Sequence, residues 1–268
     1  MMDKLEDLKR IIGRHKSAVV AFSGGVDSTF LAWACASVLG DKVLLVTAQS
    51  STYPASELDG AKQSAQALGC KHRIIVSEET DIPGFSDNPP NRCYYCKSEL
   101  FSKIRDIARS EGYDVVFDGS NVDDTRDYRP GRQALAELGI SSPMIEAKLT
   151  KDEIRAYSKL AGLPTATKPS FACLASRFPY GERITKVKLG RVGKAEESLR
   201  TMGFTQFRVR SHGDLARLEF IEQEIDKAWA GRRVIEDALK QAGFTFVAID
   251  TKGYRTGAMN EALDFGKK

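Results

Sequence analysis

The clearest chemical signal in the sequence is the segment Ser23-Gly24-Gly25-Val26-Asp27-Ser28, which follows an apolar run at 18–22 and precedes a predicted helix at 29–39. Glycine lets the backbone approach a ligand closely and adopt conformations that other residues avoid. The N–H groups of such a turn and of a helix N-terminus suit an anion, most naturally a phosphate, and the hydroxyl groups of Ser23 and Ser28 add donors. Because a carboxylate would repel a phosphate, Asp27 predicts Mg²⁺ on a bound pyrophosphate.

Three cysteines form a second chemical signal. Cys93 and Cys96 are spaced as a chelating pair at the predicted start of a helix. By itself the pair is compatible with a structural zinc half-site, a redox dithiol or two ligands of an iron–sulfur cluster. Cys173 is the one obvious third ligand, and it lies in a loop beside the cations Lys168 and Arg177. Nearby positive charge lowers the pKa of a thiol, so Cys173 is predicted to act as a nucleophile or a ligand.

The elements that must position these residues alternate between strand and helix. Apolar runs predict strands at 18–22, 42–48, 71–76 and 114–117, and this order requires a parallel sheet with right-handed crossovers. The predicted fold class is therefore α/β, a doubly wound parallel sheet with a smaller C-terminal α+β domain. Because ligands bind at the carboxyl ends of such strands, the candidates for nucleotide contacts are Thr47, Ala48, Gly119, Asn121 and Asp123.

The order of elements changes in the last third of the chain. A polar loop with Arg126, Arg129 and Arg132 follows the fourth strand, and a helix is predicted at 151–161. We place the domain boundary near 183, so that 1–183 form the nucleotide domain and 184–268 a domain for substrate binding and oligomerisation. The elements predicted in this second domain are a helix at 190–202, strands at 205–211 and 214–220, a helix at 222–242 and a strand at 245–249.

The composition limits the classes of protein to which this chain can belong. The 268 residues carry a net charge of +4, which neither demands nor excludes nucleic acid. No apolar run approaches the ~20 residues of a membrane span, and the N-terminus predicts a charged amphipathic helix rather than a signal peptide. Five cysteines beside a nucleotide site indicate a reducing cytoplasm. Two of them, Cys35 and Cys70, are predicted to be buried apolar residues.

Four motifs carry a family resemblance. The segment SGGVDS resembles the PP-loop of N-type ATP pyrophosphatases, which hold the β,γ-pyrophosphate of ATP and release it during adenylation. Together with DGSNVDDTRDYRPG at 118–131, PSFACLASRFPYG at 169–181 and FRVRSHGDLARLE at 207–219, it resembles the LarE family nearly end to end. The resemblance implies an ATP-dependent sulfur transferase that adenylates the carboxylates of pyridinium-3,5-biscarboxylic acid mononucleotide. Sulfur then replaces AMP on the way to the nickel-pincer nucleotide cofactor.

The resemblance also implies roles for particular residues. Cys173 matches the sulfur-bearing cysteine, which in some members gives up its own sulfur and becomes dehydroalanine. Cys93 and Cys96 depart from that pattern and resemble a three-cysteine type, in which a [4Fe-4S] cluster on all three cysteines carries a labile sulfide. Asp27 would act in catalysis through Mg²⁺. Residues similar to those of the substrate site are Ser176, Arg177, Glu196, Arg208, Arg210 and Glu219, and the two alternating strand arginines Arg208 and Arg210 would bind the mononucleotide phosphate.

Other functions remain open at this point. Related PP-loop enzymes that thiolate tRNA also combine a Cys-x-x-Cys pair, a third cysteine and ATP. Such an enzyme should carry a broad basic surface or an added zinc or RNA-binding domain, whereas this chain has a nearly charge-balanced tail without the cysteines of such a domain. An amide-forming synthetase that uses ammonia would leave the three cysteines unexplained, and a regulatory ATP-binding protein would release no pyrophosphate. The expected partners are a small-molecule mononucleotide and, transiently, other cofactor-biosynthesis proteins, with neither nucleic acid nor membrane. The family resemblance implies a homo-oligomer built on trimers, with a hexamer as one form.

Overall fold

The computed structural model describes residues 2–125, 130–169, 172–255 and 257–261. It divides into two compact units, one formed by Met1–Phe85 with Pro90–Phe171 and the other by Ser86–Pro89 with Ala172–Lys268. The second unit begins earlier than the boundary predicted near 183, and it includes a short segment from the first half of the chain. Of the residues that the sequence singled out, Arg126 and Arg129, and Ser170 and Phe171 of the family motif, lie outside the described residues.

The first unit is built on a four-stranded sheet in which all neighbouring strands are parallel. Its strands are β1 (Ala18–Ala21), β2 (Val43–Gln49), β3 (Lys71–Val76) and β4 (Val115–Phe117), in the order β3-β2-β1-β4. The strand order reverses at β1, so the loop after β1 lies where open α/β sheets bind ligands. The predicted α/β fold with a parallel sheet is confirmed.

Alternate residues of the central strands enter two separate cores, one on each face of the sheet. Ala18, Val20 and Leu45 belong to one buried cluster, whereas Val19 and Leu44 belong to the other. This follows from the two-residue period of a strand and from the apolar character of both faces. The sheet is therefore held between two layers of helices, as a doubly wound fold requires.

Seven helices surround this sheet in the described part of the first unit. They are α1 (Met2–Ile12), α2 (Val26–Leu39), α3 (Ala55–Ala67), α4 (Arg92–Ser110), α5 (Gly131–Glu137), α6 (Pro143–Glu146) and α7 (Lys151–Leu160). The expected polar loop thus contains α5 and α6, because Ala134, Leu135 and Met144 are apolar enough to be buried. Among the described residues, no helix has the length and apolar character needed to cross a membrane.

The second unit is a smaller α+β structure. Its strands β5 (Phe207–His212), β6 (Leu215–Phe220) and β7 (Phe246–Ile249) form one sheet, in which β5 and β6 are antiparallel and β6 and β7 parallel. Its helices are α8 (Lys186–Thr201), α9 (Ile225–Ala230) and α10 (Arg232–Gln241). The prediction of a single helix at 222–242 is therefore wrong, because the helix is interrupted at Gly231, between α9 and α10.

Candidate active site

The glycine-rich loop joins the end of β1 to the start of α2. Gly25 is the N-cap of α2 and makes no side-chain capping bond, so the first-turn N–H groups of this helix are turned toward the predicted anion site. Helix α2 starts at Val26 rather than at the predicted residue 29, which places Asp27 and Ser28 in its first turn. The hydroxyl of Ser28 accepts from the Ser23 N–H at 3.2 Å and lies 3.1 Å from the Ser23 hydroxyl.

Close packing and a positive φ require one glycine here, and a second glycine lies in ordinary contact with the loop. Gly24 has a φ of +63°, and a Cβ at this position would lie 2.6 Å from the Cα of Ala61 in α3. Gly119, just after β4, would place a Cβ 3.4 Å from the Ser28 N atom. The predicted candidates Gly24 and Gly119 therefore bring α3 and the end of β4 against the same loop.

Asp27, Asn121 and Asp123 are brought together at the carboxyl ends of β1 and β4. The Asn121 Nδ2 donates to Asp27 Oδ1 at 3.3 Å. The ammonium group of Lys151 forms an ion pair with the other oxygen of Asp27, and the Lys151 backbone N–H donates to Asp123 Oδ2 at 2.8 Å. Lys151 was not among the predicted site residues, although the Thr150–Glu153 capping box fixes it as the first residue of α7.

The donor set at this point fits Mg²⁺. Magnesium is usually held by one or two carboxylates together with phosphate oxygens and water, and Asp27 offers such a carboxylate beside the loop. Within the described ranges, no group of three or more His, Cys, Asp and Glu side chains could hold a metal ion. The site therefore suits a cation that arrives with a nucleotide better than one held by protein ligands alone.

A second lysine lies on the loop. Lys168 Nζ donates to the Gly24 carbonyl at 3.2 Å and forms a 2.8 Å ion pair with Glu57 of α3. The sequence had placed this cation beside Cys173 only. Lys151 and Lys168 thus place two ammonium groups at the loop, each paired with a carboxylate, Asp27 or Glu57. They lie where the phosphates of a nucleotide would develop negative charge.

The predicted adenosine contacts lie at the end of β2. Thr47 is buried, and its hydroxyl donates to the Phe22 carbonyl at 2.7 Å and lies 2.8 Å from His72 Nε2. Ala48 is half-buried at the next position. The Thr47 hydroxyl therefore holds the end of β1, and any nucleotide contact at this strand falls to the backbone and to Ala48.

Cys93 and Cys96 lie in the first two turns of α4 in the first unit. Cys93 is exposed and Cys96 half-buried, and the Cys96 thiol lies 3.9 Å from Oε1 of the buried Glu79. Their spacing places both thiols on one side of the helix. Cys35 is buried and Cys70 half-buried, and burial raises the pKa of both thiols. Only the Cys93–Cys96 pair thus has the exposure that a ligand pair needs.

Cys173 is exposed in the second unit, at the start of a short 3₁₀ turn, Leu174–Arg177. The Arg177 guanidinium lies beneath this turn and donates to the carbonyls of Ala172 and Cys173 at 2.9 and 3.3 Å, and to the Ser176 hydroxyl at 2.7 Å. Its Nε and Nη2 also bind both carboxylate oxygens of Glu196, at 2.7 and 3.0 Å. Arg177 and Glu196, predicted as substrate residues, are therefore a buried ion pair that holds the Cys173 turn.

The remaining predicted residues extend this cluster along β5 and β6. Arg210 binds Glu219 Oε2 through two nitrogens, at 3.0 and 2.8 Å, and donates to the Ser176 carbonyl at 2.8 Å. Arg208 lies over the ring of Tyr254, 5.0 Å from its centroid. Burial first, and then the positive charge of Arg177, lower the pKa of the Arg208 guanidinium. Among the described residues, the carboxylates of Glu196 and Glu219 lie in a cluster with the guanidinium groups of Arg177, Arg208, Arg210 and Arg217, the last 3.2 Å from Glu219 Oε1. This concentration of positive charge suits an anion.

Comparisons with known proteins identify relatives along nearly the whole chain. No family model matches the chain. The chain is 44% identical to the uncharacterized protein slr1717 of Synechocystis sp., over 97% of its own length and 98% of that protein. It is 36% identical to the pyridinium-3,5-bisthiocarboxylic acid mononucleotide synthase of Lactiplantibacillus plantarum, over 97% of its own length and 92% of that protein.

A more distant relative supports the prediction of a PP-loop fold. The chain is 25% identical to the glutamine-hydrolyzing GMP synthase of Chlamydia caviae, over 66% of its own length and 36% of that protein. The shared architecture is that of ATP-using enzymes with a PP-loop on a parallel sheet. The match to the mononucleotide synthase is more specific, because it has the higher identity and covers nearly all of both chains. The chain therefore belongs to the LarE family, that of the pyridinium-3,5-bisthiocarboxylic acid mononucleotide synthase.

Proposed function

We propose that this protein is an ATP-dependent sulfur transferase that converts the carboxylates of pyridinium-3,5-biscarboxylic acid mononucleotide to thiocarboxylates for nickel-pincer nucleotide synthesis. The observation that carries the proposal is the 36% identity to the mononucleotide synthase along 97% of the chain. The geometry of the loop from Ser23 to Ser28 supports the ATP-dependent half of the reaction. The exposed thiols Cys93 and Cys173 support the sulfur-dependent half.

The first step is adenylation. A substrate carboxylate oxygen attacks the α-phosphorus of ATP, a new C–O–P bond forms, and pyrophosphate leaves. The loop N–H groups would hold the β- and γ-phosphates, and Lys151 and Lys168 would offset the charge that develops on pyrophosphate. Magnesium, held by Asp27 and the phosphates, would supply further charge stabilisation.

The second step transfers sulfur. A sulfur nucleophile attacks the acyl carbon of the adenylate, and AMP leaves with its bonding electron pair. If Cys173 is itself the donor, its C–S bond then breaks with loss of the Cα proton, leaving dehydroalanine. The Arg177 hydrogen bonds to the Cys173 turn would fix the direction of the thiol.

We favour a cluster as the source of sulfur over sacrifice of Cys173. The first-turn position and exposure of Cys93 support thiolate ligation together with Cys96, whereas Cys173 is proposed as the third ligand from the resemblance to the three-cysteine type alone. A [4Fe-4S] cluster on three cysteines leaves one iron open to carry a sulfide. The described residues bring no three metal-ligating side chains together, so this part of the proposal rests on the chemistry of the thiols and on their exposure.

The second unit is proposed as the site of the substrate mononucleotide and of oligomerisation. Arg208 and Arg210 would bind the substrate phosphate, with Ser176 beside them. Because Arg177, Glu196 and Glu219 are 2% exposed or less, they would act by holding these arginines and the Cys173 turn. The trimer-based oligomer follows from the family resemblance, and light scattering of the full chain tests it.

The deciding experiment uses anaerobically purified full-length protein with ATP, Mg²⁺ and the biscarboxylic acid mononucleotide. Pyrophosphate and thiocarboxylate should form together, and their absence would refute the transferase. Wild-type protein should carry about four irons per chain, lost in Cys93→Ala. The matched control Cys70→Ala, which changes a half-buried thiol, should retain them. An iron-free wild-type protein, with Cys173 lighter by one H₂S after turnover, would instead show sacrifice of this cysteine.

A further inference from the structure

The carbonyl groups of the glycine-rich loop are all turned toward side-chain donors. Each of the four carbonyls from Phe22 to Gly25 accepts a hydrogen bond from a hydroxyl or ammonium group. These are Thr47 to Phe22 at 2.7 Å, Tyr53 to Ser23 at 2.5 Å, Lys168 to Gly24 at 3.2 Å and Ser28 to Gly25 at 3.2 Å. Because the C=O and N–H of a trans peptide point in opposite directions, these bonds turn the loop N–H groups the other way.

The peptide between Ser23 and Gly24 is able to rotate because glycine follows it. Its carbonyl belongs to Ser23 and its N–H to Gly24, and glycine tolerates the backbone angles on either side of a peptide flip. A flipped peptide would point a carbonyl oxygen, instead of an N–H, at a bound phosphate. The packing of Gly24 against Ala61 limits movement of the chain, but it does not by itself choose the direction of this peptide.

The hydroxyl of Tyr53 donates the hydrogen bond that fixes the direction of the Ser23–Gly24 peptide. Tyr53 lies in the segment between β2 and α3, and its hydroxyl reaches the Ser23 carbonyl across 30 residues of sequence. The same hydroxyl lies 3.4 Å from the Glu57 carbonyl of α3. Burial, and then the charge of Glu57, raise the pKa of this phenol, so it remains a hydrogen-bond donor at neutral and mildly alkaline pH.

We propose that Tyr53 is a positioning residue for the phosphate cradle, whose hydroxyl holds the Ser23–Gly24 peptide with its carbonyl outward and its N–H toward the nucleotide phosphates. The inference rests on the proposed function only in assigning the loop to the pyrophosphate part of ATP. It predicts a selective effect. Removal of the hydroxyl weakens ligands that carry this part and leaves ligands without it unaffected.

The test is Tyr53→Phe in the full-length protein, with calorimetric titration of ATP, pyrophosphate and AMP in the presence of Mg²⁺. Loss of one hydrogen bond should weaken ATP and pyrophosphate about three- to tenfold. The AMP affinity should not change, and the unfolding temperature should fall only by the small amount expected for one lost hydrogen bond. The matched control is Tyr94→Phe, which removes a 2.6 Å phenol–carboxylate bond to Glu137 within the same unit, and it should bind all three ligands as the wild type does.

The outcomes separate this inference from the proposed function. Equal affinity of Tyr53→Phe and wild type for ATP and pyrophosphate would overturn the positioning role. A parallel loss for all three ligands would also overturn it, because it would show a general structural role. A wild-type protein that binds neither ATP nor pyrophosphate would overturn the proposed function itself.

Discussion

The buried ion pair between Arg177 and Glu196 should control the stability of the second unit, and Glu196→Gln tests it. The two residues are 1% and 2% exposed. Arg177 donates one N–H to each carboxylate oxygen, and the Val209 N–H donates to Oε1 at 3.2 Å. Glutamine keeps one oxygen, so its NH₂ group would face a guanidinium N–H. A buried cation that loses its counter-charge costs about 3 to 5 kcal/mol.

Hydrogen exchange of α8 and β5 amides in the full chain measures this loss locally, which matters because two units need not unfold together. The α8 and β5 amides that exchange only when the second unit unfolds should exchange roughly 100- to 5,000-fold faster in this variant. The matched control is Glu197→Gln at the neighbouring position, where an exposed ion pair with Arg200 is worth about 0.5 kcal/mol or less. Acceleration below about tenfold in Glu196→Gln, or equal effects in the two variants, would refute the argument.

The same pair gives a pH dependence with a definite sign. Burial alone would raise the pKa of Glu196, but the charge of Arg177, its hydrogen bonds, the Val209 N–H and the charge of Arg208 together hold this pKa below its ordinary value. The stabilisation is therefore complete above the unfolded-state pKa of about 4.3, and it is lost as the pH falls through the lower pKa of the folded protein. The difference between wild type and Glu196→Gln should shrink in that acidic range.

Three further predictions concern the glycine-rich loop and the lysine that pairs with Asp27. Gly24→Ala places a methyl group against the Ala61 backbone at a positive φ, so ATP affinity in titration calorimetry should fall at least about tenfold. The matched control is Gly40→Ala, because Gly40 has a similar φ of +62° but a Cβ there would meet nothing within 4 Å. This variant should lose folding stability and keep the ATP affinity of the wild type. Asp27→Asn should raise the Mg²⁺ concentration for half-maximal pyrophosphate release about tenfold, and Lys151→Met should lower its maximal rate about 100-fold. An unchanged Mg²⁺ requirement in Asp27→Asn would exclude this carboxylate as a ligand.

Local patterns predicted most of the first unit correctly. Short apolar runs bounded by turn residues identified the strands that the structure shows as β1 to β4, because a buried parallel strand must be apolar on both faces. The start of α2 was misplaced by three residues, since Gly25 can cap a helix without a side-chain bond. Helices α5 and α6 were missed because their apolar positions are few and lie among charged residues.

The break between α9 and α10 shows the limit of periodicity. The amphipathic pattern continues across residues 222–242, so it favoured one helix. Gly231 was the local signal against that helix, and its near-zero ψ of 6° in the structure ends α9 before Arg232 begins α10. A weak helix former inside a periodic segment should therefore count against a continuous helix.

The sequence by itself determined the kind of chemistry available to this protein. The spacing of Ser23 to Ser28 after an apolar strand specifies a phosphate-binding turn, and Cys93 and Cys96 specify a thiol pair, because these features depend on hydrogen bonds and spacing within a few residues. Tertiary structure decided which distant groups meet them. Lys151 reaches Asp27, Tyr53 reaches Ser23 and Glu196 neutralises Arg177. Such pairs depend on strand order and helix packing, which no local pattern contains.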